Sequence, residues 1–135
     1  HDKGGPTNFG ITQHVYDTYF KVNSSINDIK NMDISKAIEN SIPKKYGVVK
    51  ILSGHGVGYK VHEEPYVPNF DDGVKGPKLV PGLVLAIEPM VNHGTEDVYM
   101  ADDGYTFITA DHKRSAHFEH TILITEGEAE ILTAY

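Results

Sequence analysis

His55 lies between two glycines, and His62 follows seven residues later beside Glu63, Glu64 and Pro65. Glu88 stands in the apolar run Ala86-Ile87-Glu88-Pro89-Met90, and Glu119 in His117-Phe118-Glu119-His120. One imidazole nitrogen and two carboxylates form a donor set suited to a hard or borderline divalent ion. The glycines beside His55 allow the backbone to approach a ligand closely. A carboxylate among apolar residues is costly without a partner cation, and a metal supplies one. Either Glu alone reads more readily as a residue on the solvent face of a strand, and His55 alone as a loop histidine. The residues themselves therefore carry the reading as far as a candidate metal site. His62 could donate a hydrogen bond to a substrate carbonyl or a tetrahedral intermediate, or be a surface histidine paired with Glu63 or Glu64. His120 should face the opposite side of a strand from Glu119, supporting the site's ligands or the structure.

The elements that must position these groups are short. Residues 1 to about 12 are rich in Gly, Pro, Thr and Asn and read as loop. Val15, Tyr16, Tyr19 and Phe20 have helical spacing over 13–20. A second helix should start at Asp33 or Ser35, bury Ile34, Ala37, Ile38 and Ile42, and stop before Pro43. Val48 to Leu52 predicts a strand, and Gly54 to Gly58 a tight loop or bulge. Residues 69–81 read as surface loop. Leu83 to Ile87 and Met90 to Val91 predict a strand interrupted by Pro89, at an edge or a bulge. Val98 to Met100 and Tyr105 to Thr109 predict a hairpin around Asp102-Asp103-Gly104. Phe118 to Thr125 and Ala129 to Leu132 flank a turn at Glu126-Gly127-Glu128. The class is α+β: an antiparallel sheet in the C-terminal two-thirds, preceded by short N-terminal helices.

The 135 residues allow one sizeable core. A formal net charge of −7 argues against a nucleic-acid partner. No apolar run approaches the ~20 residues that span a bilayer, so no membrane partner is expected. The chain has no cysteine, hence no disulfide framework and no thiolate chemistry, as fits a cytoplasmic protein.

Residues 35–135 resemble the C-terminal half of bacterial type I methionine aminopeptidases. The resemblance rests on Gly54 to Gly58, His62 to Pro65, Pro68 to Phe70, Leu79 to Gly82, Ala86 to Val91, Asp103 to Thr106, Phe118 to Leu123 and Glu130 to Thr133, in family order. It implies half of a pita-bread fold and a divalent metal (Co, Mn, Fe or Zn) as cofactor. It also implies peptides with an N-terminal Met as substrates. His55, Glu88 and Glu119 look like three of the family's five metal ligands. His62 looks like its substrate-contacting catalytic histidine, and Tyr105 stands where an aromatic residue walls the methionine pocket. The family's two aspartate ligands, in an Asp-containing strand and a His-Gly-Asp-Thr-like segment, have no match.

Residues 2–34 resemble the start of phage and bacterial muramidase-type glycoside hydrolases through Asp2 to Gln13 and Tyr16-Asp17, without the catalytic Glu of that family. The expected organisation is a chimera joined near Asp33 to Lys36: a foreign segment over 1–34 and a half pita-bread domain over 35–135. A truncated or chimeric aminopeptidase of weak or no activity is the first functional expectation. A catalytically inert folded chimera, stabilised as a homo-oligomer through an exposed sheet edge, is the second. A peptidoglycan muramidase fragment is the third.

Overall fold

A computed structural model describes residues 30–134. The helix expected over 13–20 and most of the muramidase-like segment lie outside the described residues. The first described helix, α1, spans Asn31–Ser41. It begins earlier than Asp33 because Asp33 acts from within the first turn, where its carboxylate accepts the Lys30 N–H at 2.8 Å. The expected apolar face is present: Ile34, Ala37, Ile38 and Ile42 are all buried. Pro43 follows the helix end.

Ten short strands follow: β1 (Gly47–Val48), β2 (Ser53–Gly56), β3 (Glu63–Pro68), β4 (Val84–Ile87), β5 (Met90–Asn92), β6 (Val98–Met100), β7 (Phe107–Thr109), β8 (Ser115–His117), β9 (His120–Leu123) and β10 (Glu130–Ile131). They form a five-stranded sheet of order β10-β9-β4-β2-β3, a three-stranded sheet β1-β5-β8 and the hairpin β6-β7. All pairings are antiparallel.

Sheet alternation sorts these strands into two faces. Leu85 pairs with Ile122, Ile87 with His120, and Gly54 with Val67. Leu85, Ile87, Ile122 and Val67 pack with Ile34 and Ile38 of α1 into one core, which Leu79 and Ile124 complete. His55, Ala86 and Thr121 are register partners and share the opposite face. The helix thus covers one side of the sheet and leaves the His55 side for chemistry. Ile38 has no exposed surface. Ile38→Ala should lower unfolding free energy by about 3 kcal/mol, within the usual range for truncating a buried Ile, as read by urea denaturation.

Three expectations need correction. The strand expected over 48–52 ends at Val48, and the segment expected to be a loop supplies strand β2 instead. Glycine disfavours strands locally, but β2 is paired on both sides, by β3 and β4. The irregularity expected there survives as a register shift between Gly54 and Gly56. The Pro89 interruption marks no sheet edge, since β4 lies between β9 and β2. It marks the place where the chain leaves the five-stranded sheet for the three-stranded one. The run from Phe118 is likewise split, with Phe118 and Glu119 between β8 and β9. The 98–109 hairpin forms as expected, Val98 opposite Thr109.

Candidate metal centre

Glu88 and Glu119 occupy two facing breaks. Ile87 lies opposite His120 in β4–β9, and Met90 lies opposite His117 in β5–β8. The register is the same on both sides of the seam, so Glu88 stands opposite Glu119 where the two sheets meet. Like charges at opposed positions of a sheet repel. His55 enters from β2, whose pairing with β4 sets it opposite Ala86, two residues before Glu88. The structure thus gathers His55, Glu88 and Glu119, each offering a ligand atom within 4.8 Å of the others'.

The hydrogen bonds around His55 define what this cluster needs. Its Nδ1 lies 2.9 Å from the Gly56 carbonyl oxygen, which can only accept, so Nδ1 carries the proton. In the neutral ring Nε2 is then a lone-pair atom, and it lies 3.1 Å from Glu88 Oε1, a second acceptor. Two acceptors at that distance are relieved by a shared proton or by a metal cation between them. Burial, and secondarily the Glu119 charge, push the Glu88 carboxyl above the ordinary carboxylate range, against the pull of His55 and His117. His55 is buried, Glu88 half-buried and Glu119 exposed, and one nitrogen with two carboxylate donors fits a divalent ion such as Zn, Co, Mn or Fe.

The supporting contacts are specific. Asn69 is fully buried, and its Nδ2 donates to the carbonyl oxygens of Glu88 at 3.3 Å and Leu52 at 3.5 Å. It ties the Glu88 link to the chain entering β2. His62 is exposed, and its ring centroid lies 4.2 Å from that of His55. His62, Glu88 and His117 line a cleft of about 760 Å³ whose apolar wall includes Met90, Tyr105 and Phe107. Tyr105 is carried by a turn in which Asp103 accepts the Thr106 hydroxyl at 2.6 Å and the N–H groups of Tyr105 and Thr106. These bonds, the Thr106 hydroxyl first, hold the Asp103 carboxyl below its ordinary range. His120 is buried, with Nδ1 2.9 Å from Thr133 Oγ1, on the core side of β9.

One contact was missed from the sequence. His117 Nε2 lies 3.1 Å from Glu88 Oε2. The available signal was its position two residues before Glu119, the same-face spacing of a strand.

A histidine and two glutamates converge at a seam between antiparallel sheets, a donor set that could hold a metal ion. Residues 19–126 match the model of metallopeptidase family M24, and the chain belongs to that family. Within it, the chain is similar to methionine aminopeptidases. It is 47% identical over 119 residues to that of Clostridium perfringens, covering 87% of this chain and 48% of the relative. It is 49% identical over 102 residues to methionine aminopeptidase 1 of Bacillus subtilis, covering 75% and 41%. The crystal structure of methionine aminopeptidase from Thermotoga maritima superposes with a TM-score of 0.80 at 41% identity, over 93% of this chain and 50% of that one. The fold is therefore that of the pita-bread family, and the chain spans about half the length of these relatives. The family match begins at residue 19, well inside the segment read as foreign, so the family relationship reaches further toward the N-terminus than the expected join at Asp33 to Lys36. Among the described residues no helix is long and apolar enough to cross a membrane.

Proposed function

We propose that this chain carries part of a metal-dependent aminopeptidase site that removes Met from the N-terminus of peptides. The observation that carries this reading is the convergence of His55, Glu88 and Glu119 at the sheet seam in a chain similar to methionine aminopeptidases. These three residues would hold a divalent ion. Such an ion polarises a scissile carbonyl and lowers the pKa of a bound water. The chain's own groups do the rest. His55 presents Nε2 because Gly56 holds its Nδ1 proton. His62, exposed beside His55 on the cleft, would donate a hydrogen bond to the oxygen that gains charge when the carbonyl is attacked. Met90, Tyr105 and Phe107 offer the apolar and aromatic wall that a thioether side chain favours.

The family's two aspartates have no counterpart in a matching motif, and the described residues bring three candidate ligands together, so turnover should be slow. The test is release of Met from a Met-Ala-Ser peptide, followed by mass spectrometry with added Co(II), Mn(II) or Zn(II). The expected result is slow, metal-dependent release that EDTA stops. Metal at about 100 times Kd should also stabilise the fold by about 2.7 kcal/mol. Neither release nor a rise in Tm with any of the three metals would overturn the proposal.

A further inference from the structure

We infer that His117 is a positioning residue that locks the Glu88 carboxylate so that only one of its oxygens faces the metal position. The inference rests on the metal-site reading above and adds a residue to it. The two Glu88 oxygens have different partners. Oε1 faces His55 Nε2 at 3.1 Å, and Oε2 faces His117 Nε2 at 3.1 Å. An ionised carboxylate can only accept, so His117 Nε2 donates. The terminal torsion of a glutamate is broad and nearly two-fold. Without a partner on Oε2, Glu88 could turn to present both oxygens together. The His117 bond fixes that torsion and leaves Oε1 for an ion.

Strand pairing makes this contact a built one. Register sets His117 opposite Met90 at the start of β5, two residues beyond Glu88 and across the seam. The His117 side chain is 48% exposed, so it contributes little to any core. It also lies outside the three-donor cluster, so its action passes through Glu88.

The experiment titrates Co(II) into the parent chain, His117→Ala and His117→Gln, by calorimetry and by visible absorption of the bound ion. His117→Ala should weaken binding by about 10–100-fold, the usual cost of losing a group that orients a metal ligand, with little change in the metal-free Tm. It should also dim the cobalt bands, because a freed second oxygen raises the coordination number. Glutamine keeps an N–H donor of similar reach, so His117→Gln should recover most of the affinity and the parent spectrum. Parent-like binding by His117→Ala overturns the inference alone. Glutamine no better than alanine also overturns it and makes the imidazole itself a ligand. A parent chain that binds no Co(II) overturns the metal-site reading and this inference together.

Discussion

Glu88→Gln should lose tight divalent-metal binding and, without metal, be more stable than its parent at neutral pH. The loss of affinity should be at least about 100-fold, beyond the 10–100-fold typical of removing an outer partner. An amide oxygen lacks the full negative charge that a divalent ion favours in a ligand. The gain in stability follows from the same geometry. Glu88 is largely buried at the seam, opposite Glu119, and its carboxyl is pushed above the ordinary range by burial first and by Glu119 second. A raised folded value means that the folded chain holds the proton more tightly than the unfolded one. The contribution is then fully present below the ordinary carboxylate value and lost as pH rises through the folded value. The metal-free parent should therefore lose stability from this group toward neutral pH, and Glu88→Gln should not. Single stabilising substitutions commonly yield about 0.5–2 kcal/mol, and the gain here should fall within that range. Thermal melts of both proteins, with and without metal and from acid to neutral pH, read both arms. A parent and variant that melt alike without metal at every pH would show that the seam holds no uncompensated charge.

Gly54→Ala should cost about 3 kcal/mol, the upper end of what overpacking a core usually does. A Cβ at Gly54 would collide with the Ala86 carbonyl oxygen and press on Val67. Neither neighbour can yield cheaply. Ala86 belongs to β4, held between β2 and β9, and Val67 is a fully buried core residue of β3. Because His55 is the next residue, the strand shift that relieves the collision also moves a proposed metal ligand, so metal affinity should fall with stability. Gly127→Ala is the matching control. A Cβ there meets nothing within 4 Å, and Gly127 does not have a positive φ. That change should be neutral or stabilising by about 0.4–1 kcal/mol. Equal denaturation midpoints for the two variants would contradict the close approach of β2 to β4.

The donors were legible in the sequence because their types are conspicuous in their surroundings. A glutamate inside Ala86 to Met90 and another after Phe118 are unusual enough to ask for a partner, and a histidine between glycines can be reached. The buried face of α1 was legible because Ile34, Ala37 and Ile38 have helical spacing before a proline. What could not be read locally was the change of sheet at Glu88-Pro89 and at Phe118-Glu119. Pro89 announces a break, but the partner of the next strand is fixed by residues nearly thirty positions away. The strand at Ser53–Gly56 was hidden for a related reason: its glycines read as loop until pairing on both sides is known. His117 escaped notice because its contact with Glu88 is a matter of tertiary register.

The most direct measurement is anomalous X-ray diffraction from crystals of the chain grown with Mn(II), Co(II) or Zn(II), collected at the metal's absorption edge. The predicted result is a peak about 2.0–2.3 Å from His55 Nε2 and from one oxygen each of Glu88 and Glu119. A peak elsewhere, or none at the seam while those three side chains stand well ordered, would contradict the account.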